Sequence, residues 1–290
     1  MAQSLGDLSH DARSPVPASL RLLMAAEAFF VLVAGATLYC LPAETNKYFA
    51  WTIQPSLTAA MLGAAYVAAF ALQVSVLRQA RMIEARVGMP AVSLFATLGL
   101  AATLLHIDRF HFQSPEPTAR LFAIVWLLVY VLVPIVSVWL LRPWWRALWQ
   151  NVPGREPLAG AMFWNLMILG MMLSLAGIIM LLSPQGVIPN WPWRLTPLTA
   201  RMLGAWSVGI GFALIQAARL GDEAQVRPAA PAIIVLSVLS LIALARFSDQ
   251  VAWGTVTAVV ILVVLINLFV VAVIAVARPM NNRAARGLAQ

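Results

Sequence analysis

Few side chains in this sequence could take part in chemistry, and each stands against a strongly apolar background. Glu27 is an acid seven residues into an apolar run, about 10 Å along a helix axis from its start. A carboxyl at that depth is expensive and faces the protein interior. It could carry a proton or bind a cation. The simpler reading is a protonated, hydrogen-bonded acid, or one paired with Arg21 or another arginine near that end.

The segment His106-Ile107-Asp108-Arg109-Phe110-His111 holds two imidazoles and a carboxylate. Such groups could ligate a metal, but on a helix His106 and Asp108 diverge by about 200°, so chelation requires a loop. No metal site is assigned on this basis. Asp108, Arg109, Arg201 and Arg246 form a candidate ligand-binding group near two short apolar runs, with Trp193 as a stacking surface for a flat ligand. The competing reading is that these arginines snorkel to the interface and that Trp193 belongs to an aromatic belt with Trp51, Trp144, Trp145, Trp149 and Trp191. Asn165, Asn267, Tyr66 and Tyr130 are read as hydrogen-bonding links between helices. No P-loop, dinucleotide-binding glycine pattern, nucleophile elbow or H-E-x-x-H motif occurs, so no catalytic residue is assigned.

The elements that must position these residues are membrane spans. Of 290 residues, 62% are hydrophobic and 10% charged, with a mean hydropathy of +0.86. A soluble domain carries about 25% charged residues. This composition excludes a soluble enzyme, a disordered chain and a nucleic-acid-binding domain. A helix needs roughly 20 apolar residues to cross the hydrocarbon core. Eight spans are predicted: 20–41, 57–77, 91–106, 119–141, 161–182, 198–218, 232–245 and 254–276. The third and seventh are short, and matching short spans point to a binding site. The fold class expected is therefore an all-α integral membrane protein. The polar start leads into an apolar run too long for a cleaved signal peptide. The single cysteine, Cys40, allows no internal disulfide.

Charge sets the orientation. Arg13, Arg21, Arg78, Arg81, Arg86, Arg142, Arg146, Arg155, Arg219, Arg227, Arg278, Arg283 and Arg286 fall on one side, thirteen in all. Lys47, Arg109, Arg120, Arg194, Arg201 and Arg246 fall on the other. By the positive-inside rule both termini are expected in the cytoplasm, with the protein in the inner (plasma) membrane.

The two halves resemble each other. Leu57-Thr58-Ala59-Ala60-Met61-Leu62-Gly63-Ala64 agrees with Leu198-Thr199-Ala200-Arg201-Met202-Leu203-Gly204-Ala205 at seven of eight positions. Trp51 with Pro55 matches Trp193 with Pro197, Ala34-Gly35 matches Ala176-Gly177, and Arg109-Phe110 is paired with Arg246-Phe247. Glu27 has Leu169 as its counterpart. An even number of spans in each half predicts two parallel four-helix repeats (4+4) related by an axis along the membrane normal. The division expected is a polar N-terminus 1–19, repeats 20–152 and 153–279, and a tail 280–290. The pattern W-x-[I/L]-x-P-(S)-L-T-A-x-M-L-G-A resembles that of uncharacterised multi-span bacterial membrane proteins, and the resemblance implies no activity, cofactor or catalytic residue.

Three functions fit these features. The first is a non-enzymatic membrane component, either an accessory subunit of a membrane complex or a binder of lipid-like or pigment-like molecules. The second is a transporter with its site between the repeats. The third is a membrane-embedded enzyme using His106–His111. The partners expected are the bilayer, other membrane subunits or a small lipid-like ligand, with no nucleic acid; the cofactor is left open.

Overall fold

A computed structural model describes residues 15–79, 82–149 and 157–277. Residues 1–14, the inter-repeat boundary near 153 and the tail from 278 lie outside the described residues, as do Arg13, Arg81, Arg155, Arg278, Arg283 and Arg286. Among the described residues, eight helices are long and apolar enough to cross a membrane. They are α1 (Ala18–Cys40), α2 (Ser56–Leu77), α3 (Gly88–Leu105), α4 (Pro117–Leu141), α5 (Gly160–Leu182), α6 (Pro197–Leu220), α7 (Ala230–Arg246) and α8 (Val256–Ala277). Among the described residues there is no strand, only isolated bridges between Trp51 and Phe110 and between Pro157 and Asp222.

Helices are required because backbone polar groups in hydrocarbon must be satisfied within the segment. The ends follow local chemistry. Thr196 and Thr199 form a capping box ahead of α6 with Pro197 at its first position, and Gly221 at φ 63° stops the same helix. Pro117 opens α4, and Pro134 lies inside that helix, buried and without ending it. α3 and α7 are longer than the sequence suggests, because their first turns accept Pro90 and Pro231, yet they remain the two shortest spans.

α2 and α6 are the most enclosed helices and α8 the least. α1 packs along α2 as α5 packs along α6; α3 meets α4 as α7 meets α8. The third helix crosses over: α3 lies against α6, and α7 against α2. The loops on the Lys47 side are tied alike. The His111 N–H donates to the Ala50 carbonyl at 2.8 Å, and the Ala252 N–H to the Pro192 carbonyl at 2.7 Å.

Two sequence expectations change. α3 and α7 are each followed by a single 3-10 turn, Ile107–Arg109 and Ser248–Gln250. These turns put Arg109 opposite Gln250, so pairing Arg109 with Arg246 is four residues out of register. Arg246 instead ends α7 itself. The aromatic belt also loses members: Trp51 is 2% exposed and Trp193 5%. Their loops fold inward, where the apolar ring area is worth more in protein contacts than at an interface.

Candidate functional site

The first four helices, together with α6 and α7, enclose a cavity of about 330 Å³. Its walls are aliphatic and aromatic, and among the described residues Glu27 is the only carboxyl lining it and Gln73 the only amide. Glu27 is 7% exposed on α1 and Gln73 2% on α2. The Gln73 amide donates to Glu27 Oε2. Oε1 has no hydrogen bond among the described residues. The pairing with Arg21 is not found: that guanidinium donates to the carbonyls of Val16, Leu77 and Gln79, tying the start of α1 to the end of α2.

Aromatic side chains give the cavity its shape. Phe95 stacks on Trp206 at 3.9 Å, and Trp126 on Tyr130 at 4.4 Å. The Tyr66 and Tyr130 hydroxyls share a hydrogen bond of 2.6 Å, so neither is left unpaired in the apolar wall. Gly99 makes room for the Tyr130 ring, which any side chain there would overlap. Phe29, Phe30 and Leu121 line the cavity and are also exposed on the outer surface, so it opens sideways between α1 and α4. Beyond Glu27 and Gln73, toward the start of α1, a cleft of about 20 Å³ reaches Ser93 and Ser137.

The sequence-derived ligand group is only partly assembled. Arg201 donates to His106 Nε2 at 2.7 Å and to the Leu181 carbonyl at 3.0 Å. Burial first, then the Arg201 charge, hold the His106 imidazole below its ordinary value. Asp108 and Arg109 pair with each other at 3.0 Å on the surface. Arg246 lies elsewhere, donating to the Tyr39 carbonyl at 3.2 Å with its guanidinium over Phe247. Arg201 and Arg246 thus satisfy carbonyls in the last turns of α5 and α1 respectively, where a cation is favoured. Trp193 packs in the core with Leu57, Leu195 and Val251, its ring 5.3 Å from Trp191.

The two histidines do not converge. His111 Nδ1 is 2.9 Å from the Phe49 carbonyl and Nε2 3.0 Å from Thr52, while His106 is held by Arg201. Among the described residues no group of three His, Cys, Asp or Glu side chains could hold a metal. Asn165 and Asn267 each have a buried Oδ1 without a partner, so they supply no link between helices through that atom.

Sequence reasoning found Glu27 through its depth. It missed Gln73, whose amide drew no attention among the more strongly polar groups, and the aromatic walls, which read as ordinary span residues. It counted Arg86 among the arginines of the arginine-rich side but not its burial. Burial pushes the Arg86 guanidinium down to about 10, against the pull of the Asp222 carboxylate. Comparisons with protein-family models, curated proteins and solved structures found no match to this chain.

Proposed function

We propose that this protein binds a lipid-like or flat apolar molecule, reached from the membrane, in the cavity between α1, α2, α3 and α4. The carrying observation is an aromatic-walled cavity of about 330 Å³ with one polar end and a side opening between α1 and α4. Small-molecule sites are concave, mostly apolar and oriented by few polar groups. The membrane itself supplies such ligands at high local concentration. The reading implies a non-enzymatic component of the plasma membrane. The repeated α1–α2 and α5–α6 packing and the crossed α3–α6 and α7–α2 contacts support two parallel four-helix repeats. The arginine distribution supports cytoplasmic termini.

Transport is the second reading, favoured by one observation: α6 and α7 of the second half complete the wall of the cavity. A movement between halves would then reshape the site.

The test is native mass spectrometry of protein released gently from its own membrane, with Ala69→Trp as the comparison. Ala69 lines the cavity, and an indole there takes up a large part of it and obstructs a bulky ligand. The expected result is a bound amphipathic molecule in the natural protein that is absent from the folded variant. Equal occupancy in both overturns the reading.

A further inference from the structure

We propose that the cavity selects lipophilic organic cations, with Glu27 as the counter-ion. The inference rests on the cavity-binding reading above and adds the charge of the ligand. Glu27 is buried, accepts from Gln73 through one oxygen only, and has no ion pair among the described residues. Arg21, the nearest cation in sequence, is committed to three backbone carbonyls. A buried acid without a counter-charge is one of the more costly features a membrane protein can keep, and it marks a place where a charge arrives from outside.

The surroundings determine which cation. A small hard metal ion takes six or more oxygens, and one carboxylate with one amide oxygen falls far short. Tyr66, Trp126 and Trp206 line the same space as Glu27, and aromatic faces attract organic cations whose charge is spread over carbon. Among the described residues no lysine or arginine lines the cavity, so none favours an anion. The ligand enters sideways past Phe29 and Phe30, midway along α1. The narrow cleft with Ser93 and Ser137 is large enough for about one water beside the carboxyl. A carboxylate there is hydrated from one side and met by the cation from the other.

The experiment uses the full chain in nanodiscs of uncharged lipid, with quenching of tryptophan fluorescence as the readout. The probes are tetraphenylphosphonium, its anionic isostere tetraphenylborate, and neutral pyrene, each corrected for partition into empty nanodiscs. The natural protein is expected to bind tetraphenylphosphonium about tenfold or more tighter than tetraphenylborate. Glu27→Gln, which removes charge with little change of shape, is expected to lower the tetraphenylphosphonium affinity relative to pyrene by about tenfold. Pyrene binding abolished by Ala69→Trp, with the two ions bound equally, overturns the cation proposal and leaves the cavity reading standing. Probe signals indifferent to Ala69→Trp overturn both. If Glu27→Gln fails to fold, the comparison of the two ions on the natural protein still decides.

Discussion

At matching depths the two halves hold opposite solutions to the same packing problem. Where α1 and α2 face each other, the first half carries Glu27 and Gln73 joined by a hydrogen bond. The corresponding residues of α5 and α6 are Leu169 and Leu214, both buried in one apolar cluster. The helices also approach differently. A side chain at Gly177 would come within 2.6 Å of the Gly204 carbonyl, and one at Gly170 within 2.8 Å of the Gly211 carbonyl. α5 and α6 therefore touch backbone to backbone at two levels. In the first half Gly35 and Gly63 preserve one of these approaches, but Ala28 and Phe70 stand where the second has Gly170 and Gly211. The lesson is that one helix pair is optimised for contact, while the other trades contact for a polar pair bordering open space. That trade is what a binding site requires.

The largest effect is expected from Leu169→Glu, which places an acid in the cluster without the amide that Gln73 supplies. A loss of about 3–5 kcal/mol is expected in chemical unfolding, and adding Leu214→Gln should restore part of it. Tolerance of Leu169→Glu at the level of an exposed substitution would show that the second half is not a sealed core. A smaller change of opposite sign follows from importing the leucines. Glu27→Leu with Gln73→Leu together are expected to stabilise the fold by about 1–2 kcal/mol, whereas Glu27→Leu alone strands the buried amide and costs about 1–3 kcal/mol. A double-mutant cycle showing no coupling would sink the idea that the pair acts as a unit.

The smallest effect concerns the other side of the molecule, where His106 accepts from Arg201. Burial and the Arg201 charge lower the folded imidazole below its unfolded value of about 6.5, so folding favours the neutral form. Stability is then full above that value and declines as pH falls through the lower folded value. Thermal unfolding between about pH 7 and about pH 5 should show a modest decline that His106→Gln removes. A rise in stability on acidification over that window would contradict the assignment.

The sequence alone determined the eight helices and flagged Glu27, for physical reasons that are local. A span is recognised by its own apolar length, and an acid is conspicuous against that background wherever it sits in it. Helix ends came out within a few residues, the largest shift being at the start of α3, where Pro90 sits in the first turn. The tertiary structure decided what Glu27 meets. Its partner Gln73 is 46 residues away, Arg201 reaches His106 across 95, and Tyr66 finds Tyr130 across 64. Such pairs depend on how each helix is rotated and how closely it approaches its neighbour, and spans this uniformly apolar carry little record of either. The same limit hid the inward fold of Trp51 and Trp193, because an indole near a span end reads the same whether it faces lipid or core. Hydropathy states that a segment leaves water; only packing decides which of its faces meets protein, lipid or a cavity.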